Sequence, residues 1–261
     1  MTLEQWLAAY GSEMFWYFPV AGSAVSMGSF LLWAVPLTWM ALREPAWAAP
    51  MRIQAHRPKA ERLIWPGVRS WLSNNLILFA LVVALWPLFS ETRLHGGPLP
   101  SIWEVAWQLV LFVVLDDFLY YWMHRLMHHP RLFKHVHAFH HRVPTPWAIS
   151  AHYMHPIEFT ATGLLMLLGP VLVGAHLLTL YLWIALRQWE AAEGHCGYEL
   201  RWSPFRLLGH SGAAYHDFHH SKTWGNYAGF LGYLDRFFGN YAKGYLERRA
   251  GGKTEARSQS R

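Results

Sequence analysis

Histidine is concentrated where this chain has the means to do chemistry. From His124 to His141 the sequence reads HRLMHHPRLFKHVHAFHH, seven imidazoles in eighteen residues, and more stand in AHYMHPIE, EGHCGY and AAYHDFHH. Two groups share the spelling H-x-x-H-H: His137, His140 and His141, then His216, His219 and His220. On a helix, positions i, i+3 and i+4 lie on one face, so each triplet is expected to bring two or three imidazoles to one point. Neutral imidazole is a borderline ligand suited to Fe, Zn, Cu and Ni. Adding His124, His128 or His129, His155 and His195 brings the candidates to about ten, whereas one structural zinc takes about four ligands, so the count points to two metals.

The choice between His128 and His129 stays open at this level. His128 is four residues after His124 and shares its helical face, while a five-residue step drifts about 140° around the axis. Pro130 follows at once and ends the helix near there, which lets His129 turn back. Asp117, two helical turns before His124, is placed to orient an imidazole through its other ring nitrogen, and Glu190 and Glu193, just before His195, are similar candidates. His56, His95, His176 and His210 have no ligand-type spacing, and His135 and His152 fall outside the repeated spelling.

The elements that must carry these residues are those of a membrane protein. Hydrophobic residues make up 53% of the 261 positions and charged ones 15%, against about 25% charged in soluble domains. Four apolar regions approach the roughly 20 residues a spanning helix needs: Phe15 to Leu42, Trp71 to Phe89, Ile102 to Met123, and Phe159 to Leu186. The last contains Gly169, Pro170 and Gly174, which are expected to break it into a re-entrant helical hairpin or two full spans. Arg43, Arg52, Arg57, Lys59, Arg62 and Arg69 fall between the first two regions, so that loop is assigned to the cytoplasm; counting crossings puts the histidines, Lys243, Arg248 and Arg249 on the same side. The expected fold is all-α: a membrane-embedded bundle with a histidine-rich helical cap holding a dinuclear metal site at the cytoplasmic face. Residues 1–242 are expected to form one domain, with the boxes in 116–240, and residues 243–261 a basic tail.

Several classes are excluded or disfavoured. The single Cys196 rules out an internal disulfide framework and a thiolate-built metal site. The start lacks a basic region before its apolar stretch, so no cleaved signal peptide is expected. The net charge of +6 sits beside apolar spans and in the tail without a recognition motif, which favours a membrane surface over nucleic acid. The zinc-protease spelling H-E-x-x-H is absent, and a site saturated by imidazole leaves few positions for an activated water. Imidazole-bound iron working with O2 on an unactivated C–H bond of a lipid suits this ligand type and setting.

The boxes HRLMHH, HVHAFHH, HPIE, EGHCGY and HDFHH, followed by GNYAGFLGYLDRFFGN, resemble the fatty acid hydroxylase and sterol desaturase superfamily of integral-membrane di-iron enzymes, and within it the C4-methylsterol oxidase branch. The resemblance covers about Asp116 to Asn240. Tyr215 departs from it at the first His of the usual H-H-D, Cys196 where Ser is common, and Leu234 where Trp is usual.

Carried over to this chain, the resemblance implies metal ligands His124, His128 or His129, His137, His140, His141, His155, His195, His216, His219 and His220. It implies two Fe ions, with zinc able to occupy purified protein, O2 as co-substrate, and electrons ultimately from NAD(P)H. They would arrive through a separate electron-carrier protein and reductase, since no H-P-G-G haem-domain signature occurs here. The expected substrate is a lipid, a sterol C4-methyl group foremost. Rivals are sterol desaturation, hydroxylation of a sterol side chain, fatty acid or carotenoid, and a non-catalytic membrane metal binder.

Overall fold

The computed structural model describes residues 2–54, 61–90, 92–206 and 212–247. Five long helices carry the architecture: α1 (Gly22–Arg43), α2 (Ile64–Ala84), α3 (Ile102–Met127), α4 (Pro156–Val173) and α5 (Leu177–Gly194). Two shorter ones, α6 (Ala213–Lys222) and α7 (Tyr233–Phe238), follow. No strand forms among the described residues; isolated bridges alone pair Arg52 with Tyr198 and His95 with His176. Among the described residues, three helical segments, Glu13–Arg43, Glu61–Ala84 and Pro156–Val173, are long and apolar enough to cross a membrane.

Sequence pattern explains which faces pack. In α3, Ser101 caps the first turn by accepting from the Glu104 amide at 3.1 Å. Phe112, Val113, Asp116, Asp117, Tyr120 and Tyr121 face inward, while Val110, Val114 and Phe118 remain exposed as a lipid-compatible surface. Placing both carboxylates on the inner face is the arrangement a bilayer demands of charged groups. Helix α1 runs along α5, where the indoles of Trp33 and Trp189 stack 4.2 Å apart, and α3 runs along α4.

Of Gly169, Pro170 and Gly174, the residues expected to break the fourth apolar region, Gly174 is the one that ends the helix. Helix α4 continues through the first two and ends at Gly174, whose φ of 64° is the left-handed conformation that glycine adopts without strain. Pro170 has no N–H for the carbonyl four residues earlier, Met166, and the Trp183 indole of α5 donates to that oxygen instead, at 2.9 Å. The turn into α5 meets the segment that precedes α3: the His95 amide donates to Ala175 at 3.3 Å and the Leu177 amide to His95 at 2.9 Å. Helices α4 and α5 therefore traverse the bundle and return, with their turn at one end and the histidine boxes at the other.

The loop after α1 packs at the histidine end. The Ile53 amide donates to Gly197 at 3.1 Å, the Glu199 amide to Met51 at 2.7 Å, and Gln54 Nε2 to Asp217 Oδ1 at 2.7 Å. His56, Arg57, Lys59, His210, Arg248 and Arg249 lie outside the described residues, with the rest of the tail beyond 247. The tail expected from residue 243 begins packed: Tyr245 is buried, edge-on to Tyr215 with ring centroids 5.4 Å apart.

Replacing Trp183 with Phe leaves the Met166 carbonyl buried without a donor. Loss of a buried hydrogen-bond partner costs about 1–3 kcal/mol, so thermal unfolding in detergent is expected at a temperature several degrees below wild type; an unchanged midpoint would show that the indole does not compensate for Pro170.

Candidate metal centre

Nine histidines meet at the end of the bundle in two groups. His124, His128, His137, His141 and His219 form one, and His140, His195, His216 and His220 the other; within each, the potential ligand atoms all lie within 4.8 Å of one another. Helix α3 supplies His124 and, at its C-cap, His128. A 3₁₀ turn, His137–Arg142, supplies three more, α5 ends on His195, and α6 carries the last triplet.

Each H-x-x-H-H triplet is shared between the groups rather than gathered at one point, because consecutive residues of a helix diverge by about 100°. In α6, His216 and His220 stack one turn apart into the second group, while His219 turns to the first. In the 3₁₀ turn, His137 and His141 serve the first group and His140 the second. These two short elements thereby tie the groups together.

The tautomers of five of these rings are set by their outer partners. Nδ1–H of His124 donates to the Tyr227 carbonyl at 2.8 Å, that of His219 to Gly225 at 2.7 Å, that of His140 to Tyr153 at 3.2 Å, and that of His195 to Ala191 at 2.8 Å. His137 donates to Glu158 Oε1 at 2.7 Å. A neutral imidazole protonated at Nδ1 has a bare lone pair at Nε2. Yet Nε2 of His124 lies 3.1 Å from Nε2 of His137, and Nε2 of His195 lies 3.2 Å from Nε2 of His140. With no proton between them, these nitrogens repel unless a cation sits among them. The donor set fits a borderline metal ion such as iron or zinc in each group.

Burial keeps the rings in the ligating form. It pushes His140 down to about 4. Burial and the neighbouring imidazoles hold His137, His216, His219 and His220 well below the usual imidazole range. They are therefore neutral at neutral pH, as metal binding requires.

Two candidates stand apart from both groups. His129 is exposed beyond the end of α3, where its carbonyl accepts from Phe133 at 2.8 Å. His155 caps α4, its Nδ1 accepting from the Ile157 amide at 3.3 Å. His128, at the i+4 position from His124, is the one brought inward.

The contacts of Asp117 differ from those expected. Asp117 touches no imidazole: its Oδ1 accepts from the amides of Gly229, Phe230 and Leu231 at 3.1, 2.6 and 3.1 Å. It thus fixes the loop whose Gly225 and Tyr227 carbonyls orient His219 and His124. Glu190 pairs with Arg187, which also donates to Asp116 at 3.1 Å. Glu193 is buried in the last turn of α5, two residues before His195. A carboxylate that does meet an imidazole is Glu158, at His137 Nδ1, visible beforehand only as the acid of HPIE.

The same loop accounts for the GNYA and LDRFFGN stretches and for Tyr215. A side chain at Gly225, where φ is 84°, would meet the Ala242 amide nitrogen at 2.6 Å, so glycine is needed there. Asn226 bridges the Tyr215 carbonyl and the Ala242 amide, at 2.8 and 2.9 Å. The Tyr215 hydroxyl donates to Asp235, whose Oδ2 also accepts from the Ala228 amide at 2.8 Å. Tyr215, the departure from the usual box, is thus a buried strut.

A cavity opens beside the second group. His195 and His216 form one side of it, Leu78, Met154, Phe159 and Met166 line its apolar wall, and Arg187 and Glu190 its charged part.

Comparison with known proteins places these features. The profile of the family described as fatty acid hydroxylase matches residues 109–240. Methylsterol monooxygenase 2-2 of Arabidopsis thaliana is 40% identical over 170 residues, covering 63% of this chain and 64% of that protein. A very-long-chain aldehyde decarbonylase of Oryza sativa subsp. indica is 40% identical over 185 residues, covering 67% and 70%. A putative methylsterol monooxygenase of Dictyostelium discoideum is 38% identical over 184 residues, covering 70% and 69%. No solved structure matches the chain.

Purified full-length protein reconstituted with ferrous iron or zinc is expected to hold two ions per chain by elemental analysis. His219→Ala and His220→Ala, which strike different groups, are each expected to reduce this to about one while leaving the helical circular dichroism intact. Unchanged occupancy in both variants would contradict the two-group assignment.

Proposed function

The chain belongs to the fatty acid hydroxylase family, and from that premise we propose that it is a membrane oxygenase that uses O2 and external electrons to oxidise an unactivated C–H bond of a lipid, with the C4-methyl group of a sterol as the favoured target. The observation that carries the reading is the apolar cavity ending on His195 and His216. An apolar lining with a few convergent polar groups is the usual character of a small-molecule site. Methylsterol monooxygenases among the relatives favour the sterol.

His124, His128, His137, His141 and His219 would hold one ion and His140, His195, His216 and His220 the other. Iron bound there would supply O2 activation and one-electron redox chemistry. The chain's own residues supply position and exclusion. The Tyr227, Gly225, Tyr153 and Ala191 carbonyls and Glu158 fix the imidazoles so that their Nε2 atoms face inward. Leu78, Met154, Phe159 and Met166 shield the reacting carbon from water and hold it by apolar contact. The buried Asp116–Arg187–Glu190 group keeps the α3–α5 interface rigid beside the cavity.

We assign the histidine end to the cytoplasmic face. The loop bearing Arg43 and Arg52 packs on that end, and basic loops stay in the cytoplasm. Electrons from NAD(P)H would therefore be delivered there by a separate carrier protein and its reductase. Residues 1–242 are read as one membrane-embedded domain. The aldehyde decarbonylase relative supports a second reading, in which the same site acts on a long-chain aldehyde.

Incubation of iron-loaded protein with reductant, O2 and candidate lipids, followed by mass spectrometry, separates these readings. The expected product of a 4-methylsterol is heavier by 16 mass units and requires O2. A loss of two units would indicate desaturation, an alkane one carbon shorter would indicate action on an aldehyde, and product formed without O2 would exclude an oxygenase.

A further inference from the structure

The charged groups of the cavity are already committed to one another. Arg187 donates to Asp116 at 3.1 Å and to Glu190, and its guanidinium lies over the Tyr120 ring, 5.0 Å from the centroid. Two carboxylates face this one cation, so the wall has no surplus positive charge with which to hold a lipid carboxylate or phosphate. The Thr162 hydroxyl is also spent, donating to the Glu158 carbonyl at 3.0 Å.

Besides the Tyr120 phenol and the imidazoles of His195 and His216, the cavity wall carries the neutral polar side chains Ser26, His152 and Gln188. Gln188 is 7% exposed; its Nε2 donates to Ser26 Oγ at 2.8 Å, while its Oε1 has no partner among the described residues. His152, also 7% exposed, stacks on Phe30 with ring centroids 4.0 Å apart, and its Nδ1 is likewise unpartnered. Phe30 is four residues, one turn, after Ser26 on α1, so both contacts lie on the same face of that helix. A buried acceptor without a donor destabilises the protein until something satisfies it.

What satisfies this set is a group that both donates and accepts. An alcohol can donate to Gln188 Oε1 and accept from the Ser26 hydroxyl or an imidazole N–H. An aldehyde or ketone only accepts and leaves Gln188 Oε1 unpaired, and an anion meets Glu190. Beyond this polar strip the space is hydrocarbon. Ser26, Leu78, Gly163 and Met166 border both this cavity and a second, apolar one. The two adjoin at these residues, a neck where a side chain on Gly163 would come within 2.9 Å of Leu78.

We propose that Ser26, His152 and Gln188 form an alcohol-recognition site, selecting a neutral lipid whose hydroxyl lies near the carbon presented to His195 and His216 and whose hydrocarbon body extends through the neck. This rests on reading the cavity as the lipid site, and it names the substrate class as hydroxylated lipids.

The test is binding, measured without reductant so that no turnover is involved. Full-length protein in nanodiscs is titrated with a radiolabelled 4,4-dimethylsterol bearing its 3-hydroxyl, and then with its 3-deoxy and 3-keto forms, oleate, hexacosanol and hexacosanal as competitors. The hydroxysterol is expected to bind at least about tenfold more tightly than its deoxy and keto forms, and hexacosanol more tightly than hexacosanal, which is about what one lost buried hydrogen bond produces. Gln188→Leu and His152→Phe, the latter retaining a ring against Phe30, are each expected to lose about tenfold for the hydroxysterol and little for the deoxy form. Wild-type metal content and melting temperature identify folded variants, and Gln188→Met serves if Gln188→Leu does not fold.

Binding of deoxy and hydroxy forms within twofold, oleate as the tightest competitor, no binding of either alcohol, or equal loss of both sterols in the variants overturns the proposal. Alcohol-selective binding without an O2-dependent product would overturn the oxygenase reading and leave this site standing. Product formed without alcohol selectivity would do the reverse.

Discussion

The structure is organised around nitrogen lone pairs that are forced together. Four imidazoles give their Nδ1 protons to backbone carbonyls and a fifth gives its proton to Glu158. The remaining ring nitrogens converge in two buried groups, with Nε2 atoms 3.0–3.3 Å apart. Such a cluster is unfavourable in an apolar setting without positive charge at its centre, and each outer hydrogen bond prevents the ring from relieving the repulsion by moving its proton inward. The outer partners thus decide what the inner atoms can bind.

The remaining elements hold those outer partners. Two of the carbonyls belong to the loop at residues 225–231, which Asp117 grips through three amides and which Asn226, Tyr215 and Asp235 brace from behind. Helix α3 therefore contributes to the centre twice, through His124 directly and through Asp117 by way of the loop. The membrane-capable helices serve the same end. Trp183 occupies the carbonyl that Pro170 leaves free, allowing α4 to run uninterrupted, place Glu158 against His137 and return through α5 to His195.

Much of this is legible in the sequence, for identifiable reasons. Apolar length and the scarcity of charge indicate a membrane bundle, and the repeated H-x-x-H-H spelling marks the side chains that meet at the site. The spelling does not reveal that each triplet is divided, because this depends on where the neighbouring elements sit around α6 and the 3₁₀ turn. Nor does it reveal the orienting groups, four of which are main-chain carbonyls that leave no mark in a side-chain pattern. Asp117 was expected beside an imidazole because it shares a helical face with His124, but three amides of a loop more than 100 residues away in sequence claim its Oδ1. His129 and His155 resemble ligands by neighbourhood, and one is left exposed beyond a helix end while the other caps one.

The central claim is that two ions are held separately, one by each imidazole group. Anomalous diffraction at the iron edge from crystals of the iron-loaded protein tests it most directly. The account predicts two peaks, one enclosed by His124, His128, His137, His141 and His219 and one by His140, His195, His216 and His220. A single peak, or ions bound away from these nitrogens, would contradict it.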